Sequence, residues 1–151
     1  CKGLTDRFSR YHGIIRELHD HIGAYTAECD GICLENYAFN SNMKGVTERI
    51  ELGTLIREYL LSSFECITCE VAPTSLKLFA CGRGAGFAKG QSKKAVAAGL
   101  LERYGVKFKK DDLADSYTLA KIAAALGDWE DPVFDRQYEA LEKIRATGWR
   151  H

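Results

Sequence analysis

The sequence predicts an α/β protein, with parallel strands flanked by helices. Two observations carry this. Helix-like and strand-like segments alternate in the order helix, strand, helix, strand, with three more helices to follow. Alternation of that kind sets consecutive strands parallel, with helices over the sheet. The 151 residues are 46% hydrophobic and 28% charged, an ordinary globular composition with room for one core. A single domain over 1–151 is expected, with 128–151 as a C-terminal helical extension.

Each element has its own signal. Leu4, Phe8, Tyr11, Ile15, Leu18 and Ile22 recur at spacings of three and four, which is one face of a long helix. That stripe suits either a core or a dimer contact. "ICLENYAF" (32–39) reads as a mostly buried strand and "NSNMKG" (40–45) as a polar turn. From Val46, the residues Ile50, Leu52, Leu55, Ile56, Tyr59 and Leu60 outline a second helix to about Ser63. "ECITCEV" (65–71) is the second strand; Pro73 stops it, and Thr74 or Ser75 can cap a short turn.

"ACGRGAGFAKGQ" (80–91) holds four glycines in twelve residues and reads as a loop. It lacks GxxxxGK[ST], and Phe87 stands where the last glycine of GxGxxG belongs, so neither nucleotide-binding loop is present. A helix over 92–104 turns Val96, Ala97, Leu100 and Leu101 inward and closes on Gly105. Another follows over 112–126. Asp131-Pro132 opens the last, with Phe134, Tyr138, Leu141 and Ile144 inside. Two strands alone do not make a stable sheet, and the chain opens on Cys1 rather than Met. The expectation is that further strands precede Cys1.

Net charge is zero but unevenly placed. Residues 77–110 hold nine Lys/Arg against one Glu, while the segments on either side are acidic. A basic stretch beside acidic clusters suits a phosphate-binding surface next to a metal site, or a solvated face. No apolar run approaches the ~20 residues that span a membrane, and no signal-peptide pattern opens the chain. Cys29/Cys33 and Cys66/Cys69 have zinc-like spacing but lie in apolar, strand-like surroundings, where cysteine behaves as a small hydrophobe. Thiols without a secretion signal indicate a reducing cytoplasm.

The carboxylates carry the chemical question. In "DDLAD", Asp112 and Asp115 are three apart and share one face of a helix's first turn. Glu35 lies in a strand whose Ile32 and Leu34 are apolar. A carboxylate buried there needs a neutralising partner, and hard Mg²⁺ shared among oxygen ligands supplies one. The alternatives are equally physical. Acids in a first turn stabilise the helix dipole, and Glu35 can sit at the strand's exposed end.

Three stretches in this order resemble RuvC-type Holliday-junction resolvases, most closely the phage-encoded branch: "LENYAFNSN" (34–42), "APTSLKLFACGRGAGFAKGQSKKAV" (72–96) and "DDLADSYTLA" (111–120). The resemblance covers roughly residues 4–127, and Ser116 replaces the family's usual Ala. The resemblance implies a ribonuclease-H-like mixed sheet flanked by helices. It implies hydrolysis of DNA at four-way junctions by a homodimer, with two Mg²⁺ or Mn²⁺ ions. The family's acids fall on Glu35, Asp112 and Asp115 as metal ligands; its lysines fall on Lys77 and Lys93, at the scissile phosphate. Arg83, Lys89, Lys94 and Lys107 would hold neighbouring phosphates, and Phe79, Phe87 or Phe108 would stack on bases or, for Phe79, pack in the core. The family's first acid, on the first strand, has no counterpart here, since Asp6 lies on a helix. The expectation is an N-terminally truncated enzyme, inactive by itself. Rival readings are a nuclease of other branched DNA, a non-catalytic DNA-binding module, and an α/β protein unrelated to nucleic acid.

Overall fold

The computed structural model describes residues 2–25, 29–36 and 45–148. Its elements are α1 (Lys2–Ile22), a 3-10 turn (Gly23–Tyr25), β1 (Gly31–Glu35), α2 (Val46–Ser63), β2 (Ile67–Val71), α3 (Pro73–Cys81), α4 (Gln91–Tyr104), α5 (Asp111–Leu126) and α6 (Asp135–Gly148). This corrects the ribonuclease-H-like mixed sheet. Among the described residues the chain is dominated by helices, and its sheet is one parallel pair, β1–β2, with Gly31 opposite Ile67 and Glu35 opposite Val71. The alternation is there, but the helices bury much of their apolar surface on one another. One core cluster, Ala80, Val96, Leu100 and Ala114, is drawn wholly from helices.

The chain forms two compact units, residues 1–29 with 39–66, and residues 30–38 with 67–151. In the first, α1 and α2 lie side by side. Arg7 and Tyr11 both reach Glu51, at 3.0 and 3.2 Å, and Arg10 meets Glu48 at 3.1 Å. Tyr11, Leu60 and Phe64 are its buried side chains. Of the stripe on α1, only Tyr11 is fully covered, while Leu4 is 54% exposed.

In the second unit, α3, α5 and α6 pack with the strand pair. Cys69, Val71, Leu76, Leu78, Phe79, Ile122, Leu126, Leu141 and Ile144 form one core. Cys33 and Cys69 are opposite in register with sulfurs 2.8 Å apart. The shared hydrogen bond with Cys69 and then burial push the Cys33 thiol far above its ordinary value, as expected of thiols acting as small core hydrophobes. The proposed extension is part of this core: Ala140, Leu141 and Ile144 of α6 are buried in it.

α3 was not foreseen. Pro73 sits in its first turn and Gly82, at positive φ, ends it, the usual asymmetry of helix ends. Two inner faces also differ. On α4 the buried residues are Val96, Gly99 and Leu100, while Ala97 and Leu101 face out. On α6, Gln137 is buried while Phe134 and Tyr138 are exposed. Gln137 belongs inside because its side chain closes the helix start, accepting from the Val133 and Phe134 N–H groups at 2.7 and 3.3 Å. Its amide then donates to the Tyr104 hydroxyl at 2.8 Å and the Phe79 carbonyl at 3.4 Å.

Gly99 lets α4 approach α3. A Cβ there would stand 2.8 Å from the Cys81 Cα and closer still to the Ala80 carbonyl. Arg103, one turn on, donates to the Phe79 carbonyl at 3.3 Å and to that of Ala80, a cation at the C-terminal end of α3. Gly99→Ala therefore lowers unfolding stability by about 1–3 kcal/mol, despite alanine's better helix propensity. Gly13→Ala is the control: it lies inside α1 with nothing within 4 Å of the added methyl, and it raises stability by about 0.5–1 kcal/mol. Urea denaturation of both variants checks the pair.

Candidate functional site

β1 and β2 run parallel, so their C-terminal ends share one edge. Glu35 ends β1 opposite Val71, which ends β2. α3 begins two residues after Val71 and presents Lys77 one turn in. α5, which packs on β1, begins with Asp111 and Asp112 and places Asp115 one turn later. α4 brings Lys93 in its own first turn, 3.0 Å from Asp111.

These side chains form one electrostatic group. Glu35 is exposed as a residue, the second of its two sequence readings. Its carboxyl nevertheless loses enough hydration to raise its pKa; Asp115 raises it further and Lys77 pulls it back. Asp115 is half-buried and also raised, by lost hydration first. Lys93 and Lys77 oppose that shift, and Asp111 and Asp112 add to it. Lys93 is raised, chiefly by its hydrogen bond to Asp111, with Asp112 and Asp115 adding to it. Of the residues selected from the sequence, Glu35, Lys77, Lys93 and Asp112 each interact electrostatically with Asp115, and the five come from four elements.

The remaining cations do other things. Lys89, Lys94 and Lys107 are exposed. The Arg83 guanidinium folds onto its own loop, donating from Nε to the Ala85 carbonyl at 2.9 Å and from Nη2 to that of Gly86, and standing over the Phe87 ring. Phe79 is buried, the core role, and Phe108 packs at 5.2 Å on Tyr117. Residues 37–42 of the first matching stretch lie outside the described residues. Asp111 was missed as a site residue. The neighbouring Asp112 was its only sequence signal, because Lys93 is eighteen residues away.

Among the described residues, no three His, Cys, Asp or Glu side chains converge as metal ligands. Two carboxylates whose lost hydration raises their proton affinity, Glu35 with Asp115 acting on it as well, still fit Mg²⁺, which commonly takes one or two carboxylates and completes its shell with water and phosphate oxygens. The pair does not supply a closed all-protein zinc site. No family model, curated protein or solved structure matches the chain. No described helix is long and apolar enough to cross a membrane.

The pKa shifts fix a pH dependence. Glu35 and Asp115 bind protons more tightly folded than unfolded. Both are protonated in either state well below their ordinary values of 4.5 and 3.8. As pH rises above those values the unfolded chain ionises first, and stability falls until the folded groups ionise too. Glu35→Gln and Asp115→Asn each remove that loss. Without divalent metal, each variant is more stable than the parent at pH 7 by about 0.3–1 kcal/mol, a small figure because water screens half-exposed groups. The difference vanishes near pH 3. Thermal melts across pH 3–8 measure it.

Proposed function

We propose that this protein is a Mg²⁺- or Mn²⁺-dependent endonuclease acting on branched DNA, with the four-way junction as substrate and two copies acting together. The observation that carries the reading is the electrostatic coupling of Glu35 to Asp115 and Lys77, which come from β1, α5 and α3. Two partly dehydrated carboxylates beside a lysine suit a phosphodiester bridged to a divalent cation. The junction itself comes from the resemblance to RuvC-type resolvases. The fold that family implies is not the one found, so the chemistry rests on the side chains.

Glu35 and Asp115 would hold the ion, with water and phosphate oxygens completing its shell, and Asp112, which the structure does not bring to the same point, would stand outside it. A second ion would need carboxylates beyond the central pair. When bound, the metal supplies an activated water and neutralises charge on the phosphate. Lys77 places a fixed positive charge beside the carboxylates and would meet a phosphate oxygen as negative charge develops on it. Lys93 is held by Asp111 and limits the repulsion around Asp115. Lys89, Lys94 and Lys107 are exposed cations available to flanking phosphates, a term that weakens steeply with salt.

The test uses the full-length gene product, a labelled four-way junction and Mg²⁺. The parent should introduce paired nicks. Asp115→Asn and Glu35→Gln should lower the rate by about 10²–10³-fold while the junction stays bound. Mg²⁺ at ten times its Kd should stabilise the parent by roughly 1.4 kcal/mol and either variant far less. A junction bound but left intact by all three proteins would make this a binding module whose acids are structural.

A further inference from the structure

A second charged concavity opens on the neighbouring face of α3. It is a cavity of about 370 Å³ lined by Thr74 and Ser75 of α3, Gly84 of the following loop, and Arg136, Glu139 and Lys143 of α6, with Arg83 at its rim. Its walls are built rather than incidental. A Cβ on Gly84 would lie 2.7 Å from the Thr74 carbonyl oxygen, so the loop rests directly on the first turn of α3. Arg83 holds that loop by donating to the Ala85 and Gly86 carbonyls, and it leaves its charge beside the cavity.

The charge of the cavity is specific. Arg83, Arg136 and Lys143 face a single carboxylate, Glu139. The start of α3 adds to this, since no side chain caps it and its first turn holds no acid. The positive end of its dipole therefore has no carboxylate of its own. Arg136 and Lys143 both donate to Glu139, the lysine at 2.8 Å. The chain's own carboxylate thus occupies an anion position between two cations, and the remaining charge is still positive.

We propose that this cavity is a phosphate site, seating a backbone phosphate of the same DNA whose scissile phosphate lies at Glu35, Asp115 and Lys77. The DNA half of this rests on the nuclease reading above; the phosphate half rests on the cavity. α3 links the two, since Thr74 and Lys77 are one turn apart, one lining the cavity and the other beside the carboxylates. The incoming phosphate takes the place of Glu139 between Arg136 and Lys143, with Thr74 and Ser75 at the helix start as further donors.

The experiment measures binding of a labelled four-way junction to the full-length protein without metal, across a salt series. A parallel titration uses inorganic phosphate alone. Arg136→Gln with Lys143→Gln should weaken junction binding about tenfold and reduce the salt slope by about one. Glu139→Gln should tighten binding about threefold, a gain that misfolding cannot produce. No change with either variant in either titration overturns the proposal. If the double variant leaves junction binding intact but abolishes saturable phosphate binding, the DNA half is overturned and the site serves a free phosphate compound. If the parent binds phosphate through Arg136 and Lys143 but binds no DNA, the nuclease reading fails and the phosphate site stands.

Discussion

The crossing of α3 and α4 at Gly99 is the contact on which the second unit depends. Backbone meets backbone there, and no side chain can be inserted between them. The close approach brings Arg103 over the carbonyl end of α3, where it satisfies the Phe79 and Ala80 carbonyls. Gln137 reaches the same Phe79 carbonyl from α6. Two helices, α4 and α6, are therefore indexed to the last turn of a nine-residue one. A helix that short is not stable by itself; its position is set by these neighbours and by burial of Leu76, Leu78 and Phe79. Because α3 is fixed, Lys77 and Thr74 are fixed, and so are the two charged surfaces they serve.

The charge pattern separates what a helix start explains from what it does not. Asp111 and Asp112 lie in the first turn of α5, where its dipole favours them. Asp115 lies a turn further in and Glu35 ends a strand. Lost hydration disfavours ionisation of both, and repulsion between like charges adds to it. Lys93 sits in the first turn of α4, where a cation meets the wrong end of the dipole, and its pairing with Asp111 offsets this. The helix dipole thus accounts for two of the four acids. The other two are held against their electrostatic preference, a condition that clusters at functional sites.

The sequence made the long elements legible and the short ones much less so. α1, α2, α4 and α5 announced themselves through apolar spacing. α3 did not, because nine residues beside a glycine-rich loop give periodicity little to work with; the reliable marks were Pro73 and Gly82 at its ends. Alternation correctly suggested parallel strands, but it carries no information about how many strands surround them, and the ribonuclease-H-like mixed sheet was inferred from a resemblance the fold does not follow. Apolar spacing also misled on α6. It placed Phe134 and Tyr138 inside, whereas the buried position is Gln137, whose polar groups are satisfied by the helix start, Tyr104 and Phe79. A buried amide of this kind cannot be read from hydropathy, since its burial depends on partners 33 and 58 residues away.

The candidate site was legible as residue types and opaque as an arrangement. Spacing put Asp112 and Asp115 on one face, but nothing local joined them to Glu35 or Lys77. That connection comes from the parallel pairing of β1 with β2, which sets Glu35 beside the residue that leads into α3. Arg83 shows the opposite case. Its type and its loop suggested a phosphate ligand, yet its guanidinium is engaged by the carbonyls of Ala85 and Gly86. The glycines that let the chain turn also expose carbonyls for a nearby guanidinium to collect. A basic residue in a glycine-rich loop is therefore as apt to organise the loop as to bind through it. Arg136 and Lys143 differ in kind: they share one carboxylate, Glu139, on the wall of a cavity that the start of α3 also lines, so their charge exceeds that of their partner.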